Sequence, residues 1–392
     1  MYKAVIENTP MKILIVTADW SPQGGGGITR FAKGLVQGLV NNHCSVEILL
    51  EEDGPHSRKT TNVEYECIIH GIKGRNSPLK RALAFAGGLW HLYRKAKYDA
   101  VIAITWSPCG TGACLFNLLH RIPYWVICHG NDVLEPQRSF FYTRLMRNVF
   151  RSAKGILPNS GFTANSVSDL DIPRNIITVI GCGIIPQDLK NACCGKSIRE
   201  QFAIGSKPLL VTVGRLVNRK GQDMVILALP KILQSFPETI YMIVGEGKEQ
   251  ERLERLAAET GVKKNVIFTG FINDDEMYTC MAECDLFVMA SRDLPEEGEV
   301  EGFGIVFLEA GCFRKPVIAG RAGGMVDPVV DGETGYLVDP TNPEDIAQKI
   351  VTLLDNKERC ERMGSAGYER VMQDYTWDAV ARRVLAALQV KS

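Results

Sequence analysis

Short apolar runs, most of them closed by Gly, Ser or Thr and followed by an amphipathic stretch, recur along the chain. They read KILIVTA, SVEILL, AVIAIT, PYWVICHG and KGILPNS in the first half, then LLVTVGR, YMIVGEG, NVIFTG, DLFVMAS and KPVIAG in the second. Continuous apolar runs of this kind suit strands buried on both faces, and the helical stretches between them serve as crossovers, so the pattern predicts parallel βαβ units. The pattern runs twice, with a break near 184–208 where GIIPQDLKNACCG precedes a short polar stretch. The expectation is an α/β protein of two doubly wound Rossmann-like domains, 1–187 and 188–374, with the linker around Pro186. Length agrees, since 392 residues exceed the roughly 100–200 of one domain, and a 45% hydrophobic content can fill two cores.

Charge excludes one class of partner. The formal net charge is +0, and proteins that track nucleic-acid phosphates usually carry a basic excess. The balance conceals an asymmetry: 1–187 hold 20 Lys/Arg against 13 Asp/Glu, and the remainder 25 against 32. Twelve cysteines are dispersed, Cys128 lies in an apolar run and Cys193 adjoins Cys194, which fits a reduced, cytoplasmic setting. Cys280 and Cys284 have metal-like spacing, but all six histidines lie before position 130, so no zinc site is expected. The segment MYKAVIENTPMKILIVTADW contains Lys3, Glu7, Pro10 and Lys12 and has neither signal-peptide nor membrane-spanning character.

Chemistry is expected around Glu301-Gly-Phe-Gly-Ile-Val-Phe-Leu-Glu309. Gly302 and Gly304 disfavour a helix before Ile305, whereas 305–313 can form one, which puts Glu301 on the approach loop and Glu309 in the second turn. The N–H groups of a helix start suit a phosphate, and carboxylates on either side can accept hydroxyl hydrogen bonds, a combination that describes a nucleotide sugar. In the competing reading Glu301 only favours the helix dipole and Glu309 is a solvated surface acid. Earlier in the second half, Gly214-Arg215-Leu-Val-Asn-Arg219-Lys220-Gly221 follows a strand, where ligands of open α/β sheets bind. Arg215 and Lys220 there can neutralise a diphosphate leaving group, with a solvated basic loop as the competitor. The Val244-Gly245-Glu246-Gly247 turn ends the next strand. In the first half, Gly24 to Gly27 between a strand and a helix form either a phosphate cradle or a flexible turn; the dinucleotide pattern fails because Thr29 or Arg30 stands where its third glycine belongs. His129 closes a strand and precedes Gly130.

In this order, the Gly-rich loop, HG after a strand, GR-x4-KG, VGEG and EGFGIVFLE resemble glycosyltransferase family 4, retaining enzymes of the GT-B fold in which two Rossmann-like domains face a central cleft. RKGQD followed by EGFGIVFLEA looks most like the phosphatidylinositol mannosyltransferase and exopolysaccharide mannosyltransferase branch. The resemblance implies that Arg215 and Lys220 hold the donor diphosphate, Glu309 the ribose and Glu301 the donor sugar, with His129 also contacting the sugar. It implies that Gly26 and Gly27 approach the phosphates and acceptor, that Gly245, Phe303, Gly304, Ile305 and Val306 line the donor site, and that the base rests near Phe271 and Ile272. It further implies no metal or other cofactor, a GDP- or UDP-sugar donor with GDP-mannose first, and a glycan or lipid-linked acceptor. The segment 375–392 would return to the first domain. The family often has Pro-Glu after its Gly-Gly, whereas Val326-Asp327 follow Met325 here. A nucleotide-sugar epimerase of the same fold is the alternative. Seven Lys/Arg and no Asp/Glu over 73–98, with Phe85, Trp90 and Tyr93, and five more over 138–154, with Phe140, Phe141 and Tyr142, suit an anionic inner membrane face. Amphipathic helices packing their aromatics inward are the competing account.

Overall fold

The computed structural model describes residues 10–20, 26–52, 60–62, 67–74, 76–192, 196–294, 296 and 300–389. The chain forms two compact units, Met1–Gly183 with Trp377–Ser392, and Ile184–Thr376.

The first unit carries a seven-stranded sheet: β1 (Lys12–Thr17), β2 (Ser45–Glu52), β3 (Thr60–Asn62), β4 (Cys67–Lys73), β5 (Ala100–Ala103), β6 (Tyr124–Cys128) and β7 (Gly155–Pro158). Its spatial order is β3-β4-β2-β1-β5-β6-β7, parallel throughout except for β3 against β4. Ile13 to Val16 are fully buried, as the unbroken apolar run requires of a central strand covered on both faces. The helix Trp377–Gln389 belongs to this unit. A Cβ added at Gly34 would stand 1.9 Å from the Trp377 ring and one at Gly183 2.6 Å from it, so these glycines create the slot the indole fills. Phe31 meets the same ring edge-on at 5.1 Å.

In the second unit β8 (Leu209–Val213), β9 (Ile240–Val244), β10 (Val266–Gly270), β11 (Leu286–Met289), β12 (Val317–Gly320) and β13 (Gly335–Val338) form a parallel sheet ordered β10-β9-β8-β11-β12-β13. Successive residues of a strand point to opposite faces, and two cores follow from that. Leu210, Tyr241, Leu286 and Val288 pack into one, Leu209, Val211, Met242 and Phe287 into the other. The strand order reverses at β8/β11, the kind of position where the crevice beyond the strand ends opens for a ligand. Among the described residues, no helix is long and apolar enough to cross a membrane.

Candidate functional site

Two loops leave the carboxyl ends of β8 and β11. From β8 the chain passes Gly214 and Arg215, tightens into a 3-10 turn at Asn218–Lys220, and enters the helix Gln222–Ser235 through Gly221 at φ 72°. Gly221 has no substitute there: a Cβ would lie 1.9 Å from the Ala290 carbonyl oxygen. The tight turn directs two consecutive cations inward, leaving Arg219 and Lys220 8% and 9% exposed. Both reach one oxygen. Glu301 Oε2 accepts from Lys220 Nζ at 2.7 Å and from Arg219 Nη1 at 2.5 Å. Lys220 Nζ also lies 3.7 Å from the sulfur of Met289, the last residue of β11, which sets the cluster at the β8/β11 reversal. Burial alone would raise the Glu301 carboxyl, but the Lys220 charge and then the Arg219 charge hold it below the usual glutamate value.

The loop after β11 is tied to the same turn. The Arg292 N–H donates to the Arg219 carbonyl at 2.8 Å, and the Arg292 side chain donates to Asp223 at 2.8 Å and to Asn218. Asp293 Oδ2 accepts the Gly323 N–H at 3.0 Å, while Oδ1 is buried with no hydrogen-bond partner among the described residues. Burial pushes the Asp293 carboxyl up and the Glu301 charge adds to that, against the Gly323 N–H. The Gly324 N–H donates to the Glu301 carbonyl at 2.8 Å, so the Glu301 backbone is pinned from the far side.

Three residues past Glu301, Gly304 at φ 80° caps the helix Ile305–Cys312. The Phe307 N–H turns back to the Gly304 carbonyl at 3.1 Å, and the N–H groups of Ile305 and Val306 belong to the first turn, which has no intrahelical acceptors. Glu309 stands in the second turn and is 6% exposed, so it is not a solvated surface acid. Phe303 is buried with its ring edge-on to Tyr375 at 5.7 Å, which leaves only its backbone for a ligand. Gly245 accommodates β8's exit, since a Cβ would lie 2.3 Å from the Gly214 carbonyl oxygen. The Phe271 N–H donates to Glu246 Oε1 at 3.2 Å; Phe271 itself is exposed and Ile272 half-buried.

Arg215 stands apart from the expected pair of cations. Its side chain is exposed and makes no hydrogen bond or ion pair among the described residues, whereas Lys220 is committed to Glu301. The exposure of Arg215 suits a solvated loop and an open anion site alike, whereas the solvated-loop reading fails for Lys220. Arg219 and Asp293 carried no expectation. Arg219 adjoined a residue already singled out, but nothing in the local pattern says that both long side chains converge on Glu301, 82 and 81 residues away.

In the first unit, His129 Nε2 lies 2.8 Å from the Ile104 carbonyl. A ring nitrogen facing a carbonyl must carry the proton, so Nδ1 is the basic nitrogen of the neutral ring. Phe31 meets the imidazole edge-on at 4.9 Å, and Asp132 Oδ1 accepts the His129 N–H at 2.8 Å. Gly26 caps the helix Gly27–Asn41, and a Cβ at Gly26 or Gly27 would meet nothing within 4 Å, so packing does not demand glycine at either. Gly24 and Gly25 lie outside the described residues. Phe85 is core, which fits the inward-packing account, but Trp90, Phe140 and Phe141 are exposed. Among the described residues no three or more His, Cys, Asp or Glu are grouped to hold a metal ion.

Residues 25–188 match the family model described as Glycosyltransferase Family 4, and 196–370 that described as Glycosyl transferases group 1. A GDP-mannose-dependent alpha-(1-6)-phosphatidylinositol monomannoside mannosyltransferase of Mycolicibacterium smegmatis is 39% identical over 191 residues, 49% of this chain and 50% of the relative. The chain therefore spans about half the length of that relative. An uncharacterized glycosyltransferase of Methanocaldococcus jannaschii is 27% identical over 97% of this chain and 98% of its own. Among solved structures, Anabaena HepE in complex with UDP and glucose superposes with a TM-score of 0.72 at 22% identity, covering 97% of this chain and 100% of its own. This likeness shows the fold, and the class is GT-B as expected from the sequence. None of the proteins named here is an epimerase.

Proposed function

The chain belongs to the family 4 and group 1 glycosyltransferases, and on that premise we propose that it moves a hexose, mannose first, from a nucleoside diphosphate sugar to a lipid-linked or glycan acceptor with retention of configuration. The observation that carries the reading is the convergence of Lys220 and Arg219 on Glu301 at the β8/β11 reversal, beside the helix start at Gly304. Lys220 can exchange its carboxylate partner for the donor diphosphate, and the exposed Arg215 has its charge uncommitted for the same anion. Preorganised cations of this kind stabilise the charge that develops on a departing diphosphate. The Ile305 and Val306 N–H groups would take a phosphate oxygen, Glu309 the ribose hydroxyls and Glu301 a sugar hydroxyl. The base would lie near Phe271 and Ile272, backed by Gly245. Gly26 and Gly27 leave room for the phosphates or acceptor, and His129 would accept a hydroxyl hydrogen bond at Nδ1.

Retention is assigned to the front-face route, in which the leaving phosphate takes the acceptor proton. Glu301 Oε2 accepts from two cations, which draws on its lone pairs and weakens it as a nucleophile, in support of that route over a covalent intermediate. Mannose and GDP lead because the curated mannosyltransferase relatives are named for GDP-mannose. We place the protein at the cytoplasmic face of an anionic membrane, with exposed Trp90, Phe140 and Phe141 beside basic residues as the contact.

The test is thermal-shift screening against GDP, UDP and ADP and their sugars, followed by transfer to a lipid-linked acceptor. A ligand at 100 times its dissociation constant stabilises by about 2.7 kcal/mol. Stabilisation by one nucleotide and configuration-retaining transfer are expected; no shift with any nucleotide sinks the reading. Failure to sediment with anionic vesicles at low salt removes the membrane assignment alone.

A further inference from the structure

Glu301 and Lys220 cannot both keep their present partner and serve a donor. Glu301 has one carboxylate oxygen shared by two cations, Lys220 at 2.7 Å and Arg219 at 2.5 Å. When Lys220 turns to an incoming diphosphate, a nearly buried carboxylate loses half of its compensation. A buried charge left without a partner is costly, so something must hold Glu301 ionised and pointed at the sugar during that exchange. Among the described residues the neighbourhood offers few groups for it. The Glu301 backbone is fixed by Gly324, which leaves the carboxylate direction to its side-chain partners, and Asp293 is an acid that repels it. Arg219 remains: its side chain is 10% exposed and its carbonyl is held by the Arg292 N–H. Its guanidinium has donors in a fixed planar fork, whereas the Lys220 ammonium is a point charge on a flexible stem suited to swinging between partners.

We infer that Arg219 is a positioning residue that retains Glu301 in its sugar-binding orientation while Lys220 is handed over to the donor diphosphate. Arg219 thereby acts on the sugar through Glu301 and makes no phosphate contact of its own. The inference rests on the donor-site reading above.

Its test is a double-mutant cycle in the full chain with Arg219→Gln, Arg219→Lys, Glu301→Gln and the Arg219→Gln/Glu301→Gln pair. Turnover with GDP-mannose and affinity for GDP are measured on each. Arg219→Gln should lower kcat at least tenfold while changing GDP affinity less than threefold. Arg219→Lys should recover most of the loss, and Arg219→Gln should cost little more in the Glu301→Gln background, since both changes remove one interaction. Three results overturn it: unimpaired turnover in Arg219→Gln, a loss of GDP affinity that parallels the loss of turnover, or additive losses in the pair. If Arg219→Gln does not fold, the cycle is run on Arg219→Met, where full additivity with Glu301→Gln again refutes it. A wild-type protein that binds none of GDP, UDP and ADP and transfers nothing refutes the donor-site reading instead, which separates the two failures.

Discussion

Replacing Lys220 by Met removes the charge and keeps an apolar stem of similar length beside Met289. Two effects follow and can be separated. Breaking a buried ion pair from one side costs about 3–5 kcal/mol when the remaining charge is left alone. Here Arg219 still holds Glu301 at 2.5 Å, so the cost falls to about 2 kcal/mol, or a midpoint lowered by roughly 4–8 °C for a unit of this size. Catalysis should suffer more. Loss of one group that meets developing charge costs about 2.7–4 kcal/mol in the barrier, a drop in kcat of about 10² to 10³. The assay is initial-rate transfer at saturating donor, alongside a melt monitored by circular dichroism. Adding Glu301→Gln to Lys220→Met removes the carboxylate that the buried Arg219 faces, so the pair should regain neither thermal stability nor turnover. A folded Lys220→Met protein with turnover within threefold of wild type refutes the catalytic assignment, and an unchanged midpoint refutes the buried ion cluster.

Gly221→Ala forces a Cβ to within 1.9 Å of the Ala290 oxygen at φ 72°, so it should cost at least about 3 kcal/mol in urea unfolding; a loss under 1 kcal/mol contradicts the loop geometry. Trp377→Ala empties the slot made by Gly34 and Gly183 and should destabilise the first unit by about 3–5 kcal/mol, read as a lowered urea midpoint. Because Glu301 is held below its ordinary value, its pairing contributes stability that is fully present above the unfolded glutamate pKa and lost as pH falls through the folded one. The stability gap between wild type and Glu301→Gln should therefore stay constant from pH 7 to about 5 and narrow only below about pH 4. A gap that closes between pH 7 and 5 contradicts that sign.

The sequence alone determined the layered α/β plan, because buried parallel strands must be written as unbroken apolar runs and each needs a crossover helix. Runs such as KILIVT and LLVTV became central strands for that reason. It also determined the helix start at Ile305, since Gly302 and Gly304 forbid one earlier and only glycine adopts φ 80° at the cap without strain. Glu301 and Lys220 were legible as candidates from their places after strands. Their pairing was not, because 81 residues separate them and only the β8/β11 adjacency closes that distance. Arg219 and Asp293 escaped for the same reason. Their significance lies in partners supplied by other loops, and sequence patterns record a residue's own backbone and burial far better than the charge that will face it. The tertiary structure alone decided that Lys220 is buried and engaged while Arg215 is exposed, since Glu301 and Met289, brought from distant parts of the chain, face Lys220.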